Sequence, residues 1–366
     1  MDMERPPNEL LEKFKRQTEE LASFFRMGKL ITPSLDLGRL LDLTTEMVTH
    51  LIDNACVCTL RLLNDGGKML TLKSAFGLDH ADSATAKLKI EETPFSKVVR
   101  TKRPYRVGDL PKSDIYKFPA FVKAQNFLSL LAVPLLKDRE PIGVLTVYGK
   151  GRDGFSRDDV KLLALFANQV EVSLEIAGLL KETKKNYLDM MRVLSAIAEA
   201  KDPFTRGHSQ RVTKYALAIA KELGFDDMRM WLIRCAGLLH DIGKIAIDSA
   251  ILYKPGKLTK REWVVVRKHP VVASDIIAKI EVLDELVSIV RHHHERFDGG
   301  GYPDGIKGNK VPLEARILAV ADSFEAMTSE RPYRRAMSEP KAIAELRRCS
   351  GAQFDPMVVR AFLKTV

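Results

Sequence analysis

Histidines are concentrated in one part of this sequence. Six of the eight lie between residues 208 and 294, and some adjoin residues that could share a metal ion: Asp241 follows His240, and His293 and His294 are neighbours. The candidate ligands are about 25 to 30 residues apart, so each comes from a different helix, and a bundle with His and Asp side chains pointing inward can build a metal centre. Imidazole and carboxylate groups suit iron, manganese, nickel or zinc, whereas the composition excludes a structural Cys-rich zinc site.

The adjacent pair His240 and Asp241 indicates more than one metal ion. On a helix, successive side chains point about 100° apart, so a single ion between them is awkward. Two neighbouring ions fit better, with the Asp241 carboxylate bridging them and with His293 and His294 serving the second ion. Two metals about 3.5–4 Å apart would lower the pKa of a bridging water and stabilise in-line attack of the hydroxide at phosphorus.

Two further residues each allow a functional and a purely structural interpretation. Lys244 lies four residues after His240, on the same face of the expected helix, where it could steady a phosphate oxygen. It could also be a solvated lysine, but Gly243 beside it allows close approach. Asp322 lies in an apolar helix, where an unpaired carboxylate is costly. A metal relieves that cost; the alternatives are an N-cap or a salt bridge to Arg316.

The order of these motifs resembles the HD-GYP family over about 180 residues. The most specific segments are Leu-Leu-His-Asp-Ile-Gly-Lys-Ile at 238–245 and His-His-Glu-Arg-Phe-Asp-Gly-Gly-Gly-Tyr-Pro at 293–303. Further matches lie at residues 201–212, 254–258, 315–322, 331–334 and 353–356. The family hydrolyses cyclic di-GMP to the linear dinucleotide pGpG and often on to GMP.

The resemblance implies a metal site with a substrate site beside it. Asp241 and Lys244 would be catalytic, and Lys244 would also bind substrate together with Tyr302, Arg331 and Arg334. Guanidinium groups suit phosphate by forked hydrogen bonding, which supports the two arginines independently. The implied metal ligands are His208, His240, Asp241, His269, His293, His294 and Asp322.

Two positions depart from the family pattern, and one further histidine adjoins the expected site. Family members with three metals carry Glu four residues before the first His ligand, where this sequence has Phe204, so we expect two divalent ions, iron or manganese, and no third. The family has Gly shortly after the His-Pro pair, where this chain has Ala273, and one methyl group should be tolerated there. We expect His292 to be a neighbour of the site and not a ligand.

The first half of the chain has a different pattern. Helical spacing predicts helices over residues 8–31 and 37–52, and period-two patterns predict strands over 55–63, 69–76, 129–136 and 142–148, with a short helix at 95–101. This order resembles a GAF domain, on the segments 129–136, 141–147 and 155–159. Such domains are sensory, so a small ligand is expected here, or alternatively a regulatory or dimerising scaffold without one. Neither Cys56 nor Cys58 suits a bilin.

A long helix follows, with a seam of residues at alternating steps of four and three that is apolar except at Gln169, Thr183 and Asn186. Its seam consists of Leu165, Gln169, Val172, Ile176, Leu179, Thr183, Asn186, Met190, Val193 and Ile197. A sustained 3.5-residue repeat favours a parallel two-stranded coiled coil and therefore a homodimer. One long helix that packs into a domain at each end is the alternative.

Net charge, apolar run length and cysteine content limit the possible partners and cellular locations. Net charge is +10, but the excess is spread along the chain, so we expect no nucleic acid polymer as partner. We also expect no membrane span, no signal peptide and, with four scattered cysteines, a cytoplasmic location.

The whole sequence therefore predicts a multidomain chain. Its parts are a helical extension at 1–19, an α+β GAF sensor domain with an antiparallel sheet flanked by helices at 20–155, a coiled-coil linker helix at 156–186, and an all-α HD-superfamily bundle at 187–366. The expected activity is hydrolysis of cyclic di-GMP under GAF control. Alternatives are hydrolysis of hybrid cyclic GMP-AMP, or a non-catalytic module that responds to nucleotide.

Overall fold

The computed structural model describes residues 37–64, 66–78, 86–113, 125–201, 206–254, 256–330 and 336–366. The chain divides into two compact units, one of residues Leu35–Thr183 and another that contains Lys184–Val366. The extension predicted at 1–19 and the helix predicted over 8–31 lie outside the described residues.

The first unit is built on a six-stranded antiparallel sheet in the order β3-β2-β1-β6-β5-β4. Its strands are β1 (Ala55–Leu63), β2 (Met69–Phe76), β3 (Lys87–Lys89), β4 (Tyr105–Val107), β5 (Ser129–Lys137) and β6 (Glu140–Gly149). Helix α1 (Leu37–Leu51) packs on β1 and β2, and α2 (Phe95–Thr101) lies beside β5 and β6. The predicted α+β architecture is confirmed.

Residue periodicity located the long strands but not the short ones. The predicted strands at 55–63 and 69–76 have the observed bounds, and β5 and β6 extend slightly beyond the predicted ones. Asp138 and Arg139 form the turn between β5 and β6, both with positive φ (51° and 66°). Strands β3 and β4 were missed because three residues are too few for a period-two pattern to stand out.

Helix α3 (Arg157–Ala200) is 44 residues long, and the boundary between the two units falls within it. Its start is fixed by Ser156 and Asp159, because the Asp159 carboxylate accepts hydrogen bonds from the Ser156 N–H and hydroxyl while Ser156 Oγ accepts one from the Asp159 N–H. By length and composition alone α3 could cross a membrane, but one such helix is weak evidence, because core helices of soluble proteins pass the same test. The expectation of no membrane span stays a prediction.

The second unit is helical. Its helices are α4 (His208–Glu222), α5 (Asp227–Leu239), α6 (Ser249–Leu252), α7 (Lys260–Val266), α8 (His269–Ile277), α9 (Asp284–Arg291), α10 (Leu313–Thr328), α11 (Glu339–Arg348) and α12 (Pro356–Phe362), with a 3-10 turn at Ile242–Ala246. Buried apolar residues of α4, α5, α10 and α12 form its core; Phe324 and Phe362 are among the largest of them. Helix termini meet at one place in this bundle, and that place holds the histidines.

Candidate metal centre

The second unit brings all seven predicted metal ligands together. Three overlapping groups each place their ligand atoms within 4.8 Å of one another. The first contains His208, His240 and Asp322, the second His240, Asp241 and His293, and the third His269, His293 and His294.

Most of these residues lie at helix ends. His208 and His269 are the first residues of α4 and α8, and His240 immediately follows α5. The expectation that His240 and Asp241 share a helix is wrong, because α5 ends at Leu239 and the backbone then tightens into the 3-10 turn. A chain that leaves a helix can aim two successive side chains into one cavity, which a continuing helix cannot do.

Backbone carbonyl groups orient three of the histidines in the same way. Nδ1 lies 2.8 Å from Gly237 O in His240, 2.7 Å from Val266 O in His269 and 2.6 Å from Val290 O in His293. A carbonyl oxygen only accepts, so each Nδ1 carries the proton and donates it, and in the neutral ring Nε2 keeps a lone pair.

The three Nε2 atoms face the interior of the cluster. Each is buried and has no hydrogen-bond partner among the described residues. A buried polar atom without a partner is costly, and a metal ion on Nε2, with Nδ1–H held by a carbonyl oxygen, removes that cost. The donor set therefore fits divalent metal ions.

The Asp241 carboxylate lies between the groups. Its Oδ1 is 3.3 Å from His269 Nε2, whereas its Oδ2 is 3.5 Å from His240 Nε2 and 3.6 Å from His208 Nε2. The two oxygens thus face different histidines, which is the arrangement that a bridging carboxylate requires.

Four of the candidate ligands already carry the charge that metal binding requires. Burial lowers the pKa of His269 to about 3 and that of His294 to about 4, so both rings are neutral near pH 7. Burial alone would raise the pKa of Asp241, but Lys244 and the surrounding histidines outweigh it and hold that pKa well below its usual value. Likewise burial opposes ionisation of Asp322, yet its hydrogen bond with His208 keeps its pKa low. Neutral imidazoles and ionised carboxylates are the forms that ligate metals.

Two family models match this chain. Residues 192–358 match the HD domain, and residues 34–175 match the GAF domain. The chain carries a GAF domain followed by an HD domain. The fold expected from the sequence is therefore confirmed for both halves.

Curated relatives match about half of this chain. One is the 3'3'-cGAMP-specific phosphodiesterase 3 of Vibrio cholerae, 41% identical over 49% of this chain and 39% of the relative. Another is the cyclic di-GMP phosphodiesterase response regulator RpfG of Xanthomonas campestris, 38% identical over 54% of this chain and 53% of the relative. The cyclic di-GMP phosphodiesterase of Thermotoga maritima is 39% identical over 48% of each chain. The chain spans roughly half or less of the length of these relatives.

Lys244 of the HD domain lies beside Asp241, and not on a helical face with His240 as the sequence suggested. Asp241 directly precedes the 3-10 turn that contains Lys244; the Lys244 N–H donates to Asp241 O, and Lys244 Nζ is 2.5 Å from Asp241 Oδ2. Gly243 permits this turn to pack on α8, since a Cβ there would lie 2.0 Å from His269 O and 2.7 Å from the Ala273 nitrogen. The close approach expected at Gly243 is thus made by the backbone of α8.

Glu325 is a functional residue that the sequence reasoning missed. Its Oε2 is 2.5 Å from His208 Nδ1, and its Oε1 accepts a hydrogen bond from Arg211 Nε at 2.7 Å. Burial lowers the pKa of His208, but hydrogen bonds with Asp322 and Glu325 outweigh burial and raise it to about 9. The available signal was spacing, because Glu325 follows Asp322 by three residues on α10 and therefore shares its face. The salt-bridge alternative for Asp322 is wrong, because Arg316 pairs with Asp355.

The Gly-rich loop after α9 is held against the cluster by His292, Arg291 and Glu295. Asp304 accepts hydrogen bonds from Arg291 at 2.7 and 2.8 Å and lies 3.0 Å from His292 Nε2. Glu295, which is buried, accepts hydrogen bonds from the Asp304 and Gly305 N–H groups. His292 Nδ1 lies 2.7 Å from Ser288 O of α9, so one ring nitrogen contacts the helix and the other contacts the loop.

Tyr302 in this loop stacks against the metal cluster. Its ring centroid is 4.9 Å from that of His294, and the Arg267 guanidinium lies 5.2 Å from its centroid. The other predicted substrate residues, Arg331 and Arg334, lie outside the described residues, and so does Phe204, on which the two-metal prediction depends.

Proposed function

We propose that this protein is a metal-dependent phosphodiesterase that hydrolyses cyclic di-GMP to pGpG, or onward to GMP, under the control of its GAF domain. The observation that carries the proposal is the Asp241 carboxylate, whose two oxygens face different histidines at 3.3 Å and at 3.5–3.6 Å. The names of the relatives, which are cyclic dinucleotide phosphodiesterases, support the substrate class.

Two divalent ions, iron or manganese, would be held by this cluster. His208, His240 and Asp322 would bind one ion, and His269, His293 and His294 the other, with Asp241 shared. A pair of divalent ions supplies a lowered pKa for a bound water and neutralises charge on phosphoryl oxygens. Phe204 supports the choice of two ions over three, because its side chain cannot ligate.

The chain's own residues would handle the substrate. The Lys244 ammonium, 2.5 Å from Asp241 Oδ2, lies where it can donate to a phosphate oxygen beside the ions. Tyr302 offers an aromatic face at the edge of the cluster, on which a base can stack. Arg331 and Arg334 remain proposed phosphate or base contacts on the basis of the sequence motif alone.

The proposal is tested by turnover of the full chain. Protein purified without oxygen and loaded with Fe²⁺ or Mn²⁺ should release pGpG or GMP from cyclic di-GMP. Asp241→Asn is the matched control, since it keeps the side chain's size. If neither product forms with either metal, or if Asp241→Asn is as active as the natural chain, the proposal is wrong, and a nucleotide-responsive module without catalysis becomes the better interpretation.

Hybrid cyclic GMP-AMP is a second candidate substrate. It is favoured by one specific observation, that the relative with 41% identity is named as specific for 3'3'-cGAMP. The metal ions and the residues that hold them would serve both substrates equally, so only contacts with the bases would distinguish one cyclic dinucleotide from the other. Side-by-side kcat/KM values on the two cyclic dinucleotides decide between them.

A homodimer through α3 is proposed on the exposure of its seam. The apolar seam residues are exposed in the chain, for example Met190 at 60% and Val193 at 59%. A 44-residue helix with such a stripe can bury it against a second copy in a parallel coiled coil. Sedimentation should give a dimer for the natural chain and a monomer after Val193→Lys with Ile197→Lys; a natural chain that sediments as a monomer contradicts the dimer.

The cellular location is proposed to be the cytoplasm. All four cysteines are free thiols, two of them buried, as expected in a reducing compartment. No residue set in the GAF domain identifies its ligand, and a ligand-free scaffold remains the alternative to a small-molecule sensor.

A further inference from the structure

The end of α3 contacts two of the segments that carry candidate metal ligands. Ser195 and Ala198 of α3 are buried, and Glu199 in its last turn and Lys201 directly after its end make hydrogen bonds to backbone groups. These contacts all lie within the HD domain, so they describe how the end of this helix meets the site.

Glu199 holds the start of α4. One carboxylate oxygen accepts the Gly207 N–H at 2.7 Å, and the other accepts the Ser209 N–H at 3.0 Å. These two N–H groups flank His208. Gly207 is the N-cap, has a φ of +70° and offers no side chain, so a carboxylate from the preceding helix serves as the cap.

Lys201 holds the 3-10 turn. Its Nζ donates to Ile245 O at 2.6 Å, and Ile245 directly follows Lys244. A small cavity between these elements is lined by Glu199, Ser209, Asp241 and Lys244, among others. The end of α3 is therefore tied to His208 on one side and to the turn of Asp241 on the other.

We propose that Glu199 and Lys201 are positioning residues through which the last turn of α3 sets the geometry of the His208 side of the metal centre. The inference rests on the proposed function and names the route by which that site can be regulated. If this turn shifts or rotates, the Glu199 carboxylate and the Lys201 ammonium shift with it. Their hydrogen-bond partners, the N–H groups on either side of His208 and the carbonyl group of Ile245, then move as well.

The proposal predicts an asymmetry within the cluster. His269 and His293 are held by the carbonyl groups of Val266 and Val290, and Glu199 and Lys201 make no described contact with either segment. Loss of Glu199 should therefore weaken the ion held by His208, His240 and Asp322 and spare the ion held by His269, His293 and His294. Outer partners of a ligand typically change metal affinity or activity about 10–100-fold.

The experiment is a Mn²⁺ titration of metal-free full-length protein, with free Mn²⁺ counted by electron paramagnetic resonance. The natural chain should bind two ions with comparable affinity, whereas Glu199→Ala should bind one normally and the other at least about tenfold more weakly. Glu199→Gln keeps one good acceptor oxygen in place of two, so its affinity for the weaker ion should lie between those of the natural chain and Glu199→Ala. Asp189→Asn is the matched control, because Asp189 is a carboxylate of the same helix that pairs only with the exposed Arg192 among the contacts described.

Turnover gives a second readout. Glu199→Ala should lower kcat about 10–100-fold while leaving KM within a few-fold, because the substrate contacts are not touched. Lys201→Met should lower kcat as well and keep both ions. Circular dichroism should show that all variants are folded.

The outcomes separate the two proposals. Equal weakening of both ions, no weakening of either, or the same loss in Asp189→Asn overturns the positioning role. If the natural chain binds two ions but hydrolyses no cyclic dinucleotide, the proposed function fails while the titration still decides the role of Glu199.

Discussion

The two domains bury different kinds of polar group. In the GAF domain the buried polar side chains are mostly hydroxyl groups, such as Thr59, Ser129 and Thr146, with Arg61 as a charged one. In the HD domain they include four histidines together with Asp241, Glu295 and Glu325. A hydroxyl can be buried at modest cost, whereas a cluster of imidazoles and carboxylates is stable only if ligands or hydrogen bonds compensate each member. The buried side chains of the HD domain therefore indicate a metal site, whereas those of the GAF domain indicate no particular ligand or reaction.

The largest effect should come from Asp241→Asn. The amide cannot offer two anionic oxygens to two ions, so we expect turnover to fall more than about 100-fold, beyond the range of losses caused by outer partners, and metal content to fall with it. Both expectations are checked by measuring turnover and metal content per chain on protein purified without oxygen. A variant that retains both ions would contradict the bridging role.

Glu325→Ala should have the next largest effect. It removes the acceptor 2.5 Å from His208 Nδ1, so His208 loses both orientation and basicity, and we expect metal affinity or activity to fall about 10–100-fold. Glu325→Gln, which retains an acceptor oxygen, should recover part of the loss. Equal losses in the two variants would mean that the carboxylate's charge, and not the hydrogen bond, matters.

Gly243→Ala should affect packing more than chemistry. Its Cβ would meet His269 O at 2.0 Å, and such overpacking costs about 1–3 kcal/mol of unfolding free energy. Both tryptophans, Trp231 and Trp263, lie in the HD domain, so tryptophan fluorescence during urea unfolding reports this domain. Gly178→Ala on α3 is the control, since nothing lies within 4 Å of the added methyl; it lies in the other compact unit and should leave this urea midpoint unchanged.

The metal-free HD domain should be most stable near pH 6.5–7. His269 and His294 have folded pKa values of about 3 and about 4, against roughly 6.5 when unfolded. The unfolded chain binds more protons between pH 4 and 6.5, so stability is lost as the pH falls through that window. His208 has the opposite sign: its pKa of about 9 contributes stability that is present below pH 6.5 and lost as the pH rises through 9. The urea midpoint of tryptophan fluorescence at several pH values measures both arms, and a flat profile would be inconsistent with them.

The smallest effect should come from Thr59→Val in the GAF domain. The Thr59 hydroxyl is buried and finds no hydrogen-bond partner among the described residues, so its replacement should stabilise the GAF domain by about 1 kcal/mol or leave it unchanged. Metal content should not alter. Far-UV circular dichroism during unfolding is the measurement, and a large destabilisation would show that this domain too relies on a buried polar group.

The same contrast explains what could be predicted from the sequence. His240, Asp241 and His269 were found because histidines are concentrated in one part of the sequence and lie in recognisable motifs, and the long strands because their pattern extends over eight to ten residues. Lys244 was placed on the same face as His240 by a helical argument, and the structure has a 3-10 turn there instead. Glu199 carried no signal, because it recognises backbone N–H groups of a segment that only the fold brings near.

Helix α3 has a consequence for how chains of this kind can vary in length. At about 1.5 Å per residue its 44 residues span roughly 66 Å, and its exposed seam repeats every seven. At the 3.5 residues per turn of a coiled coil, adding or removing seven residues leaves every seam position in phase, whereas a change of four turns the following residues by about 50° around the axis. We therefore expect the lengths of this helix in related chains to differ by multiples of seven residues.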